Sequence, residues 1–352
     1  GQVLLREMSL LMGAPSAAIL GCAGTTLTRE EIDFFKDVKP WGFILFKRNI
    51  ADPNQVRALT AALRETVGRP DAPILIDQEG GRVARLQPPH WRTYPPGRAY
   101  GELVANDPLV AREITRLGAR LIAHDLHALG INVDCVPVLD VPDPKGHEII
   151  GDRAYGDTPE QVATLGRAAA EGLLAGGVLP IIKHIPGHGR AMADSHLELP
   201  VVNAKLAELD ARDFAPFRVL SDMPMAMTAH VVYTAIDRKN PATTSKKAIK
   251  KIIRESIGFD GLLMSDDLSM KALSGDFKQR AKDSLSAGCD VVLHCNGDMA
   301  EMKAVMSGVG RMSKEARRRA QAVMGRLVKV PEPFDVAEAR ARFDAAFDGK
   351  YA

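Results

Sequence analysis

The chain lacks most of the features that mark a specialised surface or scaffold. It has no excess of one charge, since 46 Lys plus Arg face 44 Asp plus Glu for a formal net charge of +2. No global field therefore draws it to nucleic acid or to a membrane surface. Its four cysteines, Cys22, Cys135, Cys289 and Cys295, form no Cys-x-x-Cys pair, and most lie inside apolar, strand-like runs. That pattern excludes a disulfide framework or zinc ribbon and reads as buried reduced thiols of a cytosolic protein. No stretch reaches the roughly 20 apolar residues that a membrane-spanning helix needs. Low-complexity segments are missing, as is any repeat beyond an alternation of strands and helices. Neither a strand-to-helix Gly-x-Gly-x-x-Gly nor a Walker pattern occurs, which argues against a phosphate cradle.

Two features imitate something else. Met8 to Met12 followed by Ala17 to Cys22 resembles the h-region and lipobox of a bacterial lipoprotein. Pro15 interrupts the apolar run, Glu7 weakens a basic n-region, and Thr25 to Glu31 reads as a helix start, so the segment is expected to belong to the folded domain. Lys246, Lys247, Lys250, Lys251 and Arg254 fall at helical spacing after Ser245. A solvated outer helix face is expected there, with no anionic partner.

What the chain does have is a regular alternation. Short apolar runs at Ala17 to Ala23, Gly42 to Phe46, Pro73 to Asp77, Asn132 to Asp140, Val178 to His184, Met225 to Val232, Gly261 to Asp266 and Asp290 to Cys295 are separated by helical patterns, among them Asn54 to Val67, Ala111 to Leu129, Thr158 to Leu174, Ala207 to Leu220 and Ser245 to Ile257. Strands alternating with helices imply a parallel sheet, and eight such units imply a closed (β/α)8 TIM barrel. The barrel is expected over residues 1–310. Two further helices, Ser313 to Val328 and Val336 to Phe347, would pack on it as a C-terminal helical appendix within the same domain.

In such a barrel the chemistry sits just past the carboxyl ends of the strands, and polar groups gather there. Strand three ends at Asp77-Gln78-Glu79-Gly80-Gly81-Arg82, with Arg85 soon after, and strand four ends at Asp140. Gly151-Asp152-Arg153 follows, strand five ends at Lys183-His184, and strand seven runs into Ser265-Asp266-Asp267. The loop after strand five is the densest, with His184, His188, Asp194 and His196 interleaved with Gly187 and Gly189. Asp194 stands two residues from His196, close enough to orient its ring. Carboxylates and cations around an apolar barrel suit a polyhydroxylated ligand. A catalytic metal is not expected, because strand one ends in Gly21-Cys22-Ala23-Gly24, where metallohydrolases on this fold carry a His-x-His pair.

Five segments taken together, Ile76 to Arg85, Gly151 to Gly156, Lys183 to Gly189, Asp194 to His196 and Ser265 to Met270, closely resemble the bacterial β-N-acetylhexosaminidases of glycoside hydrolase family 3. The resemblance runs in order over nearly the whole barrel. It implies a retaining hydrolase that removes a non-reducing terminal β-linked N-acetylglucosamine, with Asp266 as nucleophile and His196 as acid/base, partnered by Asp194. It also implies that Asp77, Arg85, Arg153, Lys183 and His184 hold the terminal sugar, without cofactor or metal. The implied substrate is a GlcNAc-anhydromuramoyl peptide of peptidoglycan recycling, acted on in the cytoplasm by a monomer or weak dimer. Ile185 stands where the family's usual aromatic follows Lys-His, and Ala154 where Ser is common; both bear on fine preference. The residues alone leave open a family β-glucosidase, a phosphorylase, a substrate-assisted mechanism, or a sugar-binding protein on a decayed barrel.

A histidine acid/base is chemically reasonable, since an imidazole with pKa near ~6.5 donates and accepts near neutrality without the burial a carboxylic acid requires. Asp267 is expected to face away from Asp266, because successive strand side chains alternate. Lys183 and His184, being consecutive, can both reach one ligand only if the strand bends or ends there. Gly187 and Gly189 are expected to give the loop its flexibility.

Overall fold

The computed structural model describes residues 1–143, 145, 149–192 and 197–352, with the side chains of residues 7–12 outside that description. Each apolar run supplies a barrel strand: β1 (Ser16–Leu20), β2 (Pro40–Leu45), β3 (Ile74–Ile76), β4 (Val133–Asp134), β5 (Leu179–Ile185), β6 (Met225–Thr228), β7 (Leu262–Asp267) and β8 (Val291–His294). Every strand pairs in parallel with its neighbours in the chain, and β1 closes on β8 with Ala18 opposite Val292 and Leu20 opposite His294. This closed eight-stranded cylinder is the (β/α)8 barrel expected from the alternation.

Side chains obey the period of two. Ile19, Ile44, Leu75, Val133, Ile181, Met227, Met264 and Leu293, one from each strand, meet in a single apolar cluster. Because all eight strands feed it, that cluster is the barrel interior. The alternate positions Leu20, Phe43, Ile74, Ile182 and Leu263 pack outward beneath the helices.

The helices are α1 (Gln2–Gly13), α2 (Arg29–Val38), α3 (Pro53–Val67), α4 (Pro108–His127), α5 (Pro159–Ala175), α6 (Phe277–Ala287), α7 (Met299–Ser307), α8 (Lys314–Gly325) and α9 (Val336–Ala346), together with shorter turns. Their starts are chemically marked. Thr28 and Glu31 form a reciprocal capping box on α2, while Asp52, Asp107 and Thr158 cap α3, α4 and α5, each followed by proline. The basic segment is helical from Ala248 to Ser256, with Ser245 Oγ accepting from Ala248 N–H at 3.0 Å. Lys246, Lys247, Lys250 and Lys251 are exposed and Ile249, Ile252 and Ile253 are buried, so it is a solvated outer face.

Two expected elements are interrupted, both at proline. The run from Asn132 to Asp140 pairs regularly only over β4 and resumes as a bridge between Val138 and Lys183, because Pro137 has no N–H to give the ladder. The helix from Ala207 to Leu220 is broken into Leu206–Glu208 and Ala215–Val219 around a widened turn in which Phe214 N–H reaches the Leu209 carbonyl. Pro216 has no N–H for the Arg212 carbonyl, so the standard ladder cannot continue.

The C-terminal helices lie against the barrel. Ala316, Ala320 and Val323 of α8 join the interior cluster at its foot, where Ala17 N–H donates to the Gly310 carbonyl and Met312 N–H to that of Pro15. Phe343 of α9 meets the rings of Tyr94 and Tyr100 at 6.2 and 6.3 Å. Among the described residues, no helix is long and apolar enough to cross a membrane.

α4 and α5 approach so closely that a Cβ at Gly172 would lie 2.3 Å from the Arg116 carbonyl oxygen. Alanine normally favours a helix interior by about 1 kcal/mol over glycine, but this contact with backbone outweighs that preference. Gly172→Ala is expected to destabilise the fold by about 2 kcal/mol, read as a lower midpoint in thermal or urea denaturation. A midpoint at or above wild type would show that the two helices can part without cost.

Candidate active site

The interior alternation carries the chemistry to the barrel mouth. Leu75 faces inward, so Asp77, two residues on, does too; Ile181 places Lys183, and Met264 places Asp266, on the same inner side. Phe46 and Cys295 follow Ile44 and Leu293 in the same way. All five line one cavity of about 200 Å³ at the carboxyl ends of the strands, together with Arg85, Arg153, His184, His188, Met227 and Met270. Apolar side chains form the floor and charged ones the wall.

The wall is a compact ion cluster. Arg153 grips Glu79 with two bonds, Nε to Oε1 at 2.9 Å and Nη2 to Oε2 at 2.8 Å, and Lys183 Nζ lies 2.7 Å from Glu79 Oε2 and 3.3 Å from Asp77 Oδ1. Arg85 Nη2 reaches Asp77 Oδ2 at 3.4 Å, and its guanidinium stacks 5.1 Å from the centre of the Phe46 ring. Burial on its own would raise the Glu79 carboxyl; Arg153 and Lys183 more than offset this and hold it well below the usual carboxylate range. Burial likewise opposes the charge on Lys183, yet Glu79 and Asp77 keep that ammonium above its ordinary value although its side chain is only 2 % exposed. Both partners stay charged at neutral pH.

A second carboxylate organises the histidines. Asp140 Oδ2 accepts from His184 Nδ1 at 2.8 Å, while Oδ1 accepts the backbone N–H groups of His184 at 3.1 Å and His188 at 2.8 Å. Burial would raise Asp140, but His184 and His188 bring it below the usual range. An ionised carboxylate can only accept, so the His184 hydrogen sits on Nδ1 and leaves Nε2 for a ligand. The chain meets the geometric demand on Lys183 and His184 through an irregularity in β5. Its register against β6 shifts between Lys183 and Ile185, the Lys183–His184 peptide is cis, and both side chains line the cavity. His188, 4 % exposed, is pushed down to about 4 by burial and is therefore neutral.

The two aspartates of β7 have different surroundings. Asp267 accepts from Ser269 Oγ at 2.5 Å, Ser269 N–H at 3.0 Å and Cys295 N–H at 3.2 Å, so its carboxylate is bound into the strand end. Asp266 Oδ1 accepts from Asp267 N–H at 2.8 Å, and both aspartates line the cavity; the register of β7 against β8 shifts between Met264 and Asp267, so the alternation expected to turn Asp267 away is interrupted. Asp77, Arg85, Arg153, Lys183, His184 and Asp266 are thus brought together. His196 and Asp194, the remaining residues expected at the site, lie outside the described residues. Among the described residues, no group of three His, Cys, Asp or Glu side chains could hold a metal ion.

Three features differ from the sequence reading. Glu79 is not among the expected site residues; it stands past the end of β3, in a short antiparallel pair of Gln78–Gly80 with Val83–Ala84. Asp140, expected only as the end of strand four, is an organiser of three donors. Gly187 and Gly189 are buried: a Cβ at Gly189 would fall 1.8 Å from the Val141 carbonyl oxygen, and one at Gly187 would lie 3.0 Å from Asp213 Cβ. Close packing requires glycine at position 189, and a positive φ of 134° together with tight packing requires it at position 187. Arg190 extends this anchor with bonds to Asp213 at 2.8 Å and Asp143 at 3.5 Å.

Known proteins resemble this chain in sequence and in fold. The N-terminal domain of glycosyl hydrolase family 3 matches residues 14–330. The β-hexosaminidase of Bordetella pertussis is 39% identical over 291 residues, 82% of either chain, and that of Methylococcus capsulatus is 40% identical over 308 residues, 86% of this chain and 90% of that one. Among solved structures, NagZ from Neisseria gonorrhoeae in complex with N-trifluoroacetyl-D-glucosamine superposes with a TM-score of 0.85 at 34% identity, covering 95% of this chain and 98% of that one. A match over most of the chain, and near 40% identity to enzymes of one activity, place this chain in glycosyl hydrolase family 3, among its bacterial β-N-acetylhexosaminidases.

Proposed function

We propose that the protein is a retaining exo-β-N-acetylglucosaminidase that works through a covalent glycosyl-aspartate. The observation that carries this reading is the single-ring cavity in which Asp266 shares the wall with Asp77, Arg85, Arg153, Lys183 and His184. Asp77 would accept hydrogen bonds from ring hydroxyls, the cations would donate to hydroxyl or acetamido oxygens, and His184 Nε2 would accept from a hydroxyl. A carboxylate oxygen of Asp266 would attack the anomeric carbon as the glycosidic C–O bond breaks, with His196 giving its proton to the departing oxygen. Water would then release the sugar while the imidazole, steadied by Asp194, takes the proton back. The roles of His196 and Asp194 rest on the resemblance to the family. The 2-acylamino sugar held by the Neisseria gonorrhoeae protein supports an N-acetylglucosamine ligand.

The natural substrate in this reading is a GlcNAc-anhydromuramoyl peptide of peptidoglycan recycling, processed in the cytoplasm by a monomer or weak dimer without metal or cofactor. A barrel mouth that encloses one ring is consistent with an exo-acting enzyme whose aglycone remains outside.

Mass spectrometry after reaction with a slow fluorinated N-acetylglucosaminide is expected to find the sugar on the peptide containing Asp266, and Asp266→Ala is expected to lose about a thousandfold or more in turnover. A label on another residue would remove the assignment. His196→Ala is expected to cost about 10²–10⁴-fold with poor leaving groups and far less with good ones; equal losses across a leaving-group series would count against an acid role. Glu79→Gln leaves Arg153 and Lys183 without their shared anion, so it is expected to raise KM and to destabilise the protein by about 3 kcal/mol. Unchanged KM and denaturation midpoint would show that the cluster does not need this carboxylate.

A further inference from the structure

Beneath Asp266 lies a chain of hydrogen bonds among side chains that the reaction does not touch. Thr228 at the end of β6, His230 just beyond it, and Thr243 on the short turn Ala242–Thr244 are each fully buried. Asp266 N–H donates to Thr228 Oγ1 at 3.3 Å, Thr228 Oγ1 lies 2.7 Å from Thr243 Oγ1, Thr243 Oγ1 lies 2.7 Å from His230 Nδ1, and His230 Nε2 lies 2.9 Å from the Asp267 carbonyl oxygen.

Counting hydrogens leaves one arrangement. The Asp267 carbonyl only accepts, so Nε2 carries the imidazole hydrogen. Burial lowers the pKa of His230, so the ring is neutral and Nδ1 is an acceptor. Thr243 must then give its only hydroxyl hydrogen to Nδ1, in preference to the more distant Ala229 carbonyl at 3.2 Å. Thr228 in turn gives its hydrogen to Thr243 and uses a lone pair for Asp266 N–H. Every hydrogen points the same way, from the Asp266 amide round to the Asp267 carbonyl. The ring therefore grips the backbone on both sides of the Asp266–Asp267 peptide, whose own N–H is directed at Asp266 Oδ1. With the Asp267 carboxylate tied to Ser269 and Cys295, the segment has little freedom to rotate.

We propose that Thr228, Thr243 and His230 form a buried positioning ring that sets the direction of the Asp266 carboxylate toward the sugar, an inference that rests on Asp266 being the nucleophile. None of the three is a catalytic residue; they act through the backbone that carries one. Such a device affects the attack and not the binding of the sugar, which would depend on Asp77, Arg153 and Lys183 on other segments of the barrel mouth.

Thr243→Val removes the central hydroxyl at nearly constant volume. Its kcat on an aryl N-acetylglucosaminide, and its rate of labelling by the slow fluorinated sugar, are expected to fall about tenfold or more, the cost of one buried hydrogen bond at the reacting residue. KM should change little, and Thr243→Ser should restore both rates. Thr228→Val, which breaks the ring one member earlier, should show the same split and serves if Thr243→Val does not fold. Wild-type labelling on a peptide without Asp266 would overturn the nucleophile assignment. Labelling of Asp266 at wild-type rate in a folded valine variant would overturn the ring alone, as would a change confined to KM.

Discussion

Glu79 is the group on which the mouth of the barrel depends. Three cations stand around a cavity of about 200 Å³, one of them, Lys183, nearly out of reach of water, and a buried ammonium or guanidinium is tolerated only with a partner at close range. One carboxylate serves both Arg153 and Lys183 and leaves Asp77 bridged between Lys183 and Arg85. The result is a wall that is highly polar yet close to neutral. It can turn donors toward sugar oxygens without attracting the small anions that an uncompensated positive pocket would collect. The apolar floor formed by Met227, Leu293 and Cys295 continues the barrel core without a gap, so the site is the place where the interior changes from hydrocarbon to charge.

Much of this was legible because barrel strands impose a period of two. Once Leu75, Ile181 and Met264 are recognised as core, the inward direction of Asp77, Lys183 and Asp266 follows by counting; that Asp267 also borders the cavity does not, because the register of β7 shifts there. The count does not reach Glu79, which lies beyond β3 in a separate antiparallel pair. Partners across the barrel were not legible: that Asp140 holds His184 and the His188 amide depends on how two neighbouring strands are staggered, which no local pattern encodes. Pro137 and Pro216 were visible breakers whose effects were underestimated within otherwise continuous patterns. Gly187 and Gly189 were misread for a related reason. A glycine demanded by a neighbour's carbonyl, as at 189, or by a positive φ, as at 187, looks the same in sequence as one demanded by motion.

Specificity and reactivity are carried by different parts of the cylinder. The strands β3 to β5 and the segment at Arg153 provide the contacts around the cavity wall, whereas in the proposed reaction β6 and β7 would carry the attacking group and its support. This division lets the wall vary with the ligand while the β6–β7 pair keeps the backbone of Asp266 fixed, and it fits a fold whose barrel strands are rigid and whose connecting loops change.

Asp140 also links two structural tasks. The same carboxylate that aligns the His184 imidazole holds the amide at the start of the segment leading through Arg190 toward residues 193–196. Its acidity is enhanced in the folded protein, so this contribution is present above the ordinary carboxylate range and is lost as pH falls through the depressed folded value. One proton arriving there would loosen ligand alignment and loop tether in the same event. Acid tolerance in this enzyme is thus a joint property of both, and neither can be tuned at that position without the other.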